Sequence, residues 1–147
     1  MGVTLDAGAM AIYQRCLQFH SHPFYKHIAS WSLGKIAVST PSVAWAEYWR
    51  GRSSNVHFVS KLSKRIRVAE VCQHTAESAA EALRKWPGSH DRNSVKHLID
   101  AIVMAHANDY GDAVYTTDID DFVPLWEWFP CVKSVVSATT GDVVLKR

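Results

Sequence analysis

The chain has 147 residues, 48% of them hydrophobic and 20% charged, with a net charge of +2. That length suits a single domain over residues 1–147 with a genuine core, and no apolar run approaches the roughly 18 residues that span a bilayer. The opening residues lack the positive start of a secretory signal, and Cys16, Cys72 and Cys131 are odd in number and never spaced as CxxC, so a soluble, cytoplasmic protein with reduced thiols is expected.

Val3-Thr4-Leu5 is short, apolar and β-prone, and it ends on Asp6. Ala7 to Leu17 has helix-forming composition, His20 to Pro23 breaks it, and Phe24 to Leu33 resumes a helical pattern before Gly34. Lys35 to Ser39 reads as a second strand. Thr40 and Pro41 open the next helix as cap and first helical residue, and that helix carries Glu47 and stops at Gly51. Ser53 to Ser63 predicts a basic helix, Ile66 to Val71 a third strand, and Thr75 to Trp86 a helix capped by Thr75, with Pro87 to Asp91 as a loop.

The segment from Asn93 to Asp121 organises the rest. Val95, Leu98, Ile99, Ile102 and Ala105 follow the i, i+3, i+4, i+7 pattern of an amphipathic helix, with Ser94 as cap and Gly111 as stop. Asp100 rides on that helix. Ala113 to Thr117 has the β-branched and aromatic content of a buried strand, and Asp118, Asp120 and Asp121 follow it, where open α/β sheets carry their active residues. Phe122 to Phe129 predicts a short aromatic helix, Cys131 to Ser137 a final strand, and the tail after Thr140 little structure. Strands alternating with helices imply βαβ units. The fold class expected is α/β, a three-layer α/β/α sandwich on a mostly parallel sheet of four or five strands. Neither GxGxxG nor GxxxxGK[ST] occurs, which disfavours a nucleotide-cofactor fold.

Charge is unevenly distributed. Six basic residues and no acid lie between Arg50 and Arg67, and six acids and no Lys or Arg between Asp100 and Asp121. A basic strip beside an acidic cluster suits a protein that holds phosphates while concentrating cations. Asp6, Glu47, Asp100 and Asp118 each fall at a strand end or on an adjoining helix. Converging carboxylates raise one another's pKa unless a cation neutralises them, and all-oxygen ligation selects Mg²⁺ or Mn²⁺ over zinc. Such ions serve phosphodiester hydrolysis, one activating water and another, roughly 4 Å away, stabilising the leaving oxygen.

Val3–Ala9 (VTLDAGA), Thr40–Gly51 (TPSVAWAEYWRG), His97–Gly111 (HLIDAIVMAHANDYG) and Val114–Phe122 (VYTTDIDDF) occur in this order, each with its acid, and Arg67–Trp86 fits between the second and third. On these pieces, which cover residues 3 to about 136, the chain resembles PIN-domain ribonucleases, specifically VapC-type toxins of bacterial toxin–antitoxin pairs. The resemblance implies that Asp6, Glu47, Asp100 and Asp118 bind the metal and carry catalysis, with Asp120 or Asp121 as an auxiliary ligand. It matches Thr117 to a hydroxyl residue that bonds a neighbouring carboxylate, and it departs from the family at Ala7-Gly8, where a hydroxyl residue is common. It also implies a PIN-like sandwich, a homodimer, an RNA substrate and a cognate antitoxin whose C-terminal segment fills the cleft.

Other features carry less. Lys61, Lys64, Arg65 and Arg67 are candidate RNA-backbone contacts. His20, His22 and His27 form the best zinc cluster but lack cysteines or an HExxH helix. Trp45, Trp49, Trp126 and Trp128 are candidates for stacking on bases, and Phe19, Phe24, Tyr25 and Trp31 for an antitoxin groove. The function expected is a Mg²⁺- or Mn²⁺-dependent endoribonuclease toxin. Its rivals are a non-catalytic RNA- or protein-binding module and a nuclease unrelated to toxicity.

Overall fold

The computed structural model describes residues 2–51, 56–86 and 95–145. Strand β1 (Val3–Leu5) leads into helices α1 (Ala7–Cys16) and α2 (Tyr25–Gly34), then strand β2 (Val38–Pro41). Helices α3 (Ser42–Arg50) and α4 (Val56–Ser63) precede strand β3 (Arg67–Ala69), and helices α5 (Gln73–Lys85) and α6 (Val95–Tyr110) precede strand β4 (Ala113–Thr116). Helix α7 (Ile119–Phe122), a 3-10 turn at Pro124–Trp128, and strands β5 (Ser134–Ser137) and β6 (Val143–Val144) complete the described chain.

All six strands join one sheet in the order β3-β2-β1-β4-β5-β6. Five run parallel, and β6 pairs antiparallel with β5 at the edge. The sheet therefore exceeds the four or five strands expected, because Val143–Val144 forms an edge strand in a tail that sequence leaves unstructured. α1 packs on α2, α3 and α4, whereas α6 packs on α5, α7 and the 3-10 turn. With right-handed crossovers, these two groups cover opposite faces, a three-layer α/β/α arrangement. Leu5, Val114 and Val135 from the sheet, Met10 from α1, Phe24 beside α2, Met104 from α6 and Phe122 from α7 are fully buried. Each such side chain contributes roughly 1.5–3 kcal/mol of burial.

The topology creates one crevice. From β1 the chain crosses to β2 on one side, whereas β4 pairs on the other side of β1 and leads outward to β5. The C-terminal ends of β1 and β4 thus flank the point where strand order reverses, the place where open α/β sheets bind ligands.

Several local expectations change. Pro41 is the last residue of β2 rather than the first of a helix, and it stands at the N-cap of α3 without a side-chain cap. Thr40 does not cap that helix, because its hydroxyl donates to the Leu5 carbonyl at 2.8 Å and ties β2 to β1. Cys72 takes the cap position of α5. Thr75, two residues inside the helix, is buried and donates to Asp109 Oδ2 at 2.8 Å, cross-linking α5 to α6. Lys35, not Gly34, adopts the left-handed conformation that ends α2 (φ 52°), while Gly111 (φ 66°) ends α6 as expected. The proposed Ser94 cap, the start of the basic helix at Ser53 and the Pro87–Asp91 loop lie outside the described residues.

Phe24 and Trp31 are 0% and 7% exposed, packed edge-on to each other, with Phe24 edge-on to Tyr13 and Trp31 edge-on to Tyr115, and with the remaining Tyr13–Trp31 and Phe24–Tyr115 pairs tilted. They form core, not an antitoxin groove. The zinc trio is otherwise engaged: His20 stacks on Tyr25, and His22 Nδ1 accepts from the Phe24 N–H at 3.1 Å. His27 Nε2 donates to the Gly141 carbonyl at 3.1 Å while its Nδ1 accepts from the Tyr115 hydroxyl at 3.0 Å. Trp126 is buried, its indole N–H donating to the Val132 carbonyl at 3.0 Å, which leaves Trp49, 38% exposed on α3, the most accessible of the proposed stacking residues whose exposure is described.

Candidate active site

Asp6 follows directly on β1, and its backbone N–H donates to the Tyr115 carbonyl at 3.2 Å, extending the β1–β4 ladder to the carboxylate. Its side chain caps α1, Oδ1 accepting from the Ala9 N–H at 2.6 Å. The other oxygen, Oδ2, accepts a short hydrogen bond from the Thr116 hydroxyl. Thr116 closes β4 and is itself fully buried; its Oγ1 also accepts from the Asp118 N–H at 2.9 Å. One hydroxyl therefore fixes the Asp6 carboxylate and the backbone that carries Asp118. Sequence assigns this role to Thr117, but strand alternation points the preceding residue into the crevice.

Thr117 has a different consequence. A Cβ added at Gly8 would stand 2.1 Å from Thr117 Oγ1 and 3.2 Å from Thr117 Cβ. The missing side chain of Gly8 is therefore the space that lets the β4–α7 turn close over the first turn of α1. Gly8→Ala is expected to cost about 1–3 kcal/mol through overpacking, seen as a lowered melting temperature. Adding Thr117→Ala to that variant should recover part of the loss, since the two changes share one contact.

Asp100, in α6, faces the same crevice and is 6% exposed. Among the described residues its Oδ2 is buried with no hydrogen-bond partner. Burial pushes its carboxyl up to about 8, with Asp6, Asp121 and Asp118 adding to the rise and Lys96 opposing it. Burial likewise pushes Asp6 up to about 7 against the hydrogen bonds from Thr116 and Ala9, with Asp118 and Glu47 raising it further. These effects put Asp118 and Glu47 within electrostatic reach of Asp6, and Asp6, Asp118 and Asp121 within reach of Asp100. Asp118 is exposed, at the N-cap of α7, and Asp121 half-buried in that helix's first turn. Lys96 Nζ lies 2.9 Å from Asp121 Oδ2 and 3.9 Å from Asp118 Oδ2. Glu47, half-buried on α3, and Lys96 share a hollow of about 500 Å³ with Arg50 and the apolar Val43, Ile99 and Ile102.

Asp120 is exposed and does not figure among the groups acting on Asp6 or Asp100, so of the two auxiliary candidates the geometry draws in Asp121. Lys96 was missed from sequence, although its position four residues before Asp100 on one helix places it over the same face. Thr116 was missed for want of the strand register. Among the described residues, no three Asp, Glu, His or Cys side chains are grouped as a metal centre. The donor set nevertheless fits a hard cation: it is all carboxylate, two members are buried against one another's charge, and one buried oxygen has no donor to satisfy it.

Thr116→Val keeps the shape but removes both hydrogen bonds of the hydroxyl. It is expected to cost about 1–3 kcal/mol for the buried partner left unpaired, measured by denaturant unfolding, with the Asp6 carboxylate released from its orientation.

The basic candidates lie elsewhere. Lys61, Lys64 and Arg65 share a hollow with Leu17, the C-cap of α1. That cap is eleven residues along the helix from Asp6, about 16 Å at 1.5 Å per residue. Arg67 opens β3 and its guanidinium lies 5.3 Å over the ring of Tyr110, ten residues or about 15 Å along α6 from Asp100. All four sit toward the N-terminal end of the sheet, opposite the carboxylates. The structure does not bring them to the acid cleft; the bases it brings there are Lys96 and Arg50. Among the described residues no helix is long and apolar enough to cross a membrane. No protein-family model and no curated protein sequence matches the chain.

Proposed function

We propose that the protein is a Mg²⁺- or Mn²⁺-dependent endoribonuclease, PIN-like in fold and acting as the toxin of a toxin–antitoxin pair. The observation that carries the nuclease reading is the pair of buried carboxyls, Asp6 and Asp100, in the crevice between the ends of β1 and β4, with one Asp100 oxygen unpartnered. Burying two acids together is costly, and since the Lys96 ammonium pairs with Asp121 and Asp118 rather than with either buried acid, the inner side of the site is suited to a cation. The toxin reading, the antitoxin partner and the homodimer rest on the sequence resemblance alone.

In this reading Asp6, Asp100 and Asp118 hold the ion, and Asp121 supports them. The bound cation would supply Lewis-acid activation of water and charge stabilisation at the phosphate. The chain's own groups do the positioning. The Ala9 N–H and the Thr116 hydroxyl fix both oxygens of Asp6, so that the carboxylate needs no reorganisation when substrate arrives. Glu47 or Asp100 would help orient the attacking water, and Glu47 lines the hollow beside the cleft. Arg50, in the same hollow, offers charge to the RNA backbone.

The test is cleavage of total RNA by purified, antitoxin-free protein in Mg²⁺, Mn²⁺ or EDTA. Discrete fragments that require the metal are expected. Absence of cleavage under all three conditions would contradict the reading and favour a binding module.

A further inference from the structure

The acid cleft carries its own cation in the form of an amine. Lys96 stands in the first turn of α6, one turn before Asp100, and extends over the cleft to Asp121 Oδ2 at 2.9 Å and Asp118 Oδ2 at 3.9 Å. Its charge also acts on the buried Asp100, whose inner oxygen is unpartnered. Among the described residues, this is the ion pair that touches the cluster. The carboxylates it bridges are the more open members of the set: Asp118 and Asp121 side chains are 49% and 31% exposed, and that of Lys96 is 52%. Among the described residues, no ammonium forms an ion pair with Asp6 or Asp100, the closed members.

We propose that Lys96 is a built-in competitor for the divalent cation, holding the Asp118–Asp121 side of the cleft until the ion displaces it; this rests on reading the cleft as a cation site. A divalent ion held by these carboxylates repels an ammonium docked on the same groups, so binding of the ion and docking of the ammonium are linked with opposite sign. An exposed lysine–carboxylate pair is weakly held, and the flexible four-carbon stem of lysine lets the ammonium swing into solvent without moving α6. The cleft is thus kept partly neutralised and folded without metal, at the cost of cation affinity. Once displaced, the ammonium remains at the mouth, beside the hollow that contains Glu47 and Arg50.

The measurement is calorimetric titration of Mn²⁺ into wild-type, Lys96→Met and Lys96→Arg proteins at low salt, each checked by its melting temperature. Methionine keeps most of the apolar stem and removes the charge. Lys96→Met is expected to bind Mn²⁺ about five- to tenfold more tightly than wild type, the lower range of coupling between linked sites, while Lys96→Arg stays within about twofold of wild type because it retains the competing charge. Mn²⁺ binding by wild type with unchanged or weaker affinity in Lys96→Met would overturn the competitor role while leaving the cation site standing. Equal tightening in Lys96→Arg would also overturn it, since charge would then not be the cause. Binding of Mn²⁺ by none of the three would overturn both the competitor and the metal-dependent reading.

Discussion

Asp100→Asn should abolish cleavage without weakening the fold. Asparagine has the shape of aspartate but offers no negative oxygen, so the variant is expected to lose at least about a hundredfold in activity, the scale of several kcal/mol of charge stabilisation. Loss of an ordinary buried residue would lower stability in parallel, but here the expectation is the reverse. In the metal-free protein the buried Asp100 carboxyl resists ionisation up to about pH 8. A permanently neutral side chain removes that conflict, so at pH 8 the variant should melt no lower than wild type. Thermal unfolding beside an RNA-cleavage assay checks both halves. A variant that cleaves normally, or that loses activity only because it unfolds, would contradict the assignment.

The second large effect is on stability against pH. Asp6 and Asp100 hold their protons in the fold up to about 7 and 8, whereas an unfolded aspartyl residue loses its proton near 3.9. Between those values the folded protein binds more protons than the unfolded chain, so stability is present at the acid end of the window and lost as pH rises through it. Metal-free protein should therefore melt roughly 5 °C or more lower at pH 8 than at pH 5, given about 2–4 °C per kcal/mol for a chain of this size. His27 and His106 work in the opposite direction, since burial holds both below the usual imidazole range and favours the fold at higher pH. The difference between wild type and Asp100→Asn isolates the carboxyl contribution, and it should grow with pH. Saturating Mn²⁺ should reverse the trend, stabilising wild type most at pH 8, where the ligands must otherwise ionise unaided. A wild-type melting temperature that shows neither a pH-dependent difference from Asp100→Asn nor a response to Mn²⁺ would count against a cation site.

What could be read from the residues, and what could not, follows the physics of each element. Strand ends were legible because Val3-Thr4-Leu5 and Ala113 to Thr117 are short β-prone runs followed by acids, although the second strand ends one residue earlier at Thr116, and the βαβ alternation leaves few topologies. Asp6, Asp100, Asp118 and Glu47 could therefore be placed near one crevice before any coordinates. Capping was misassigned at Thr40 and Thr75 because a hydroxyl serves a neighbouring strand or helix as readily as its own helix end, and the Leu5 carbonyl and Asp109 are far away in sequence. Phe24 and Trp31 are exposed or buried according to how α2 seats on the sheet, which composition does not encode. The distance of the basic strip from the cleft is hidden for the same reason. Lys61 to Arg67 follow Glu47 closely in sequence, yet the chain returns through α4 to the other end of the sheet before β3 begins. Thr116 and Lys96 depend on register and on helix phase relative to the strand. The weak β6 strand gains its structure from pairing with β5 rather than from its own two valines.

Under the proposed function, this cleft hydrolyses an RNA phosphodiester with water activated at a carboxylate-held cation. The most direct measurement is the chemistry of the ends left on a labelled RNA after single-turnover cleavage in Mn²⁺ and in EDTA. Attack by water is expected to leave a 5′-phosphate and a 3′-hydroxyl, with no product in EDTA and none from Asp100→Asn. A 2′,3′-cyclic phosphate would mean that the ribose hydroxyl and not water is the nucleophile, and cleavage that persists in EDTA would mean that the carboxylates do not act through a cation.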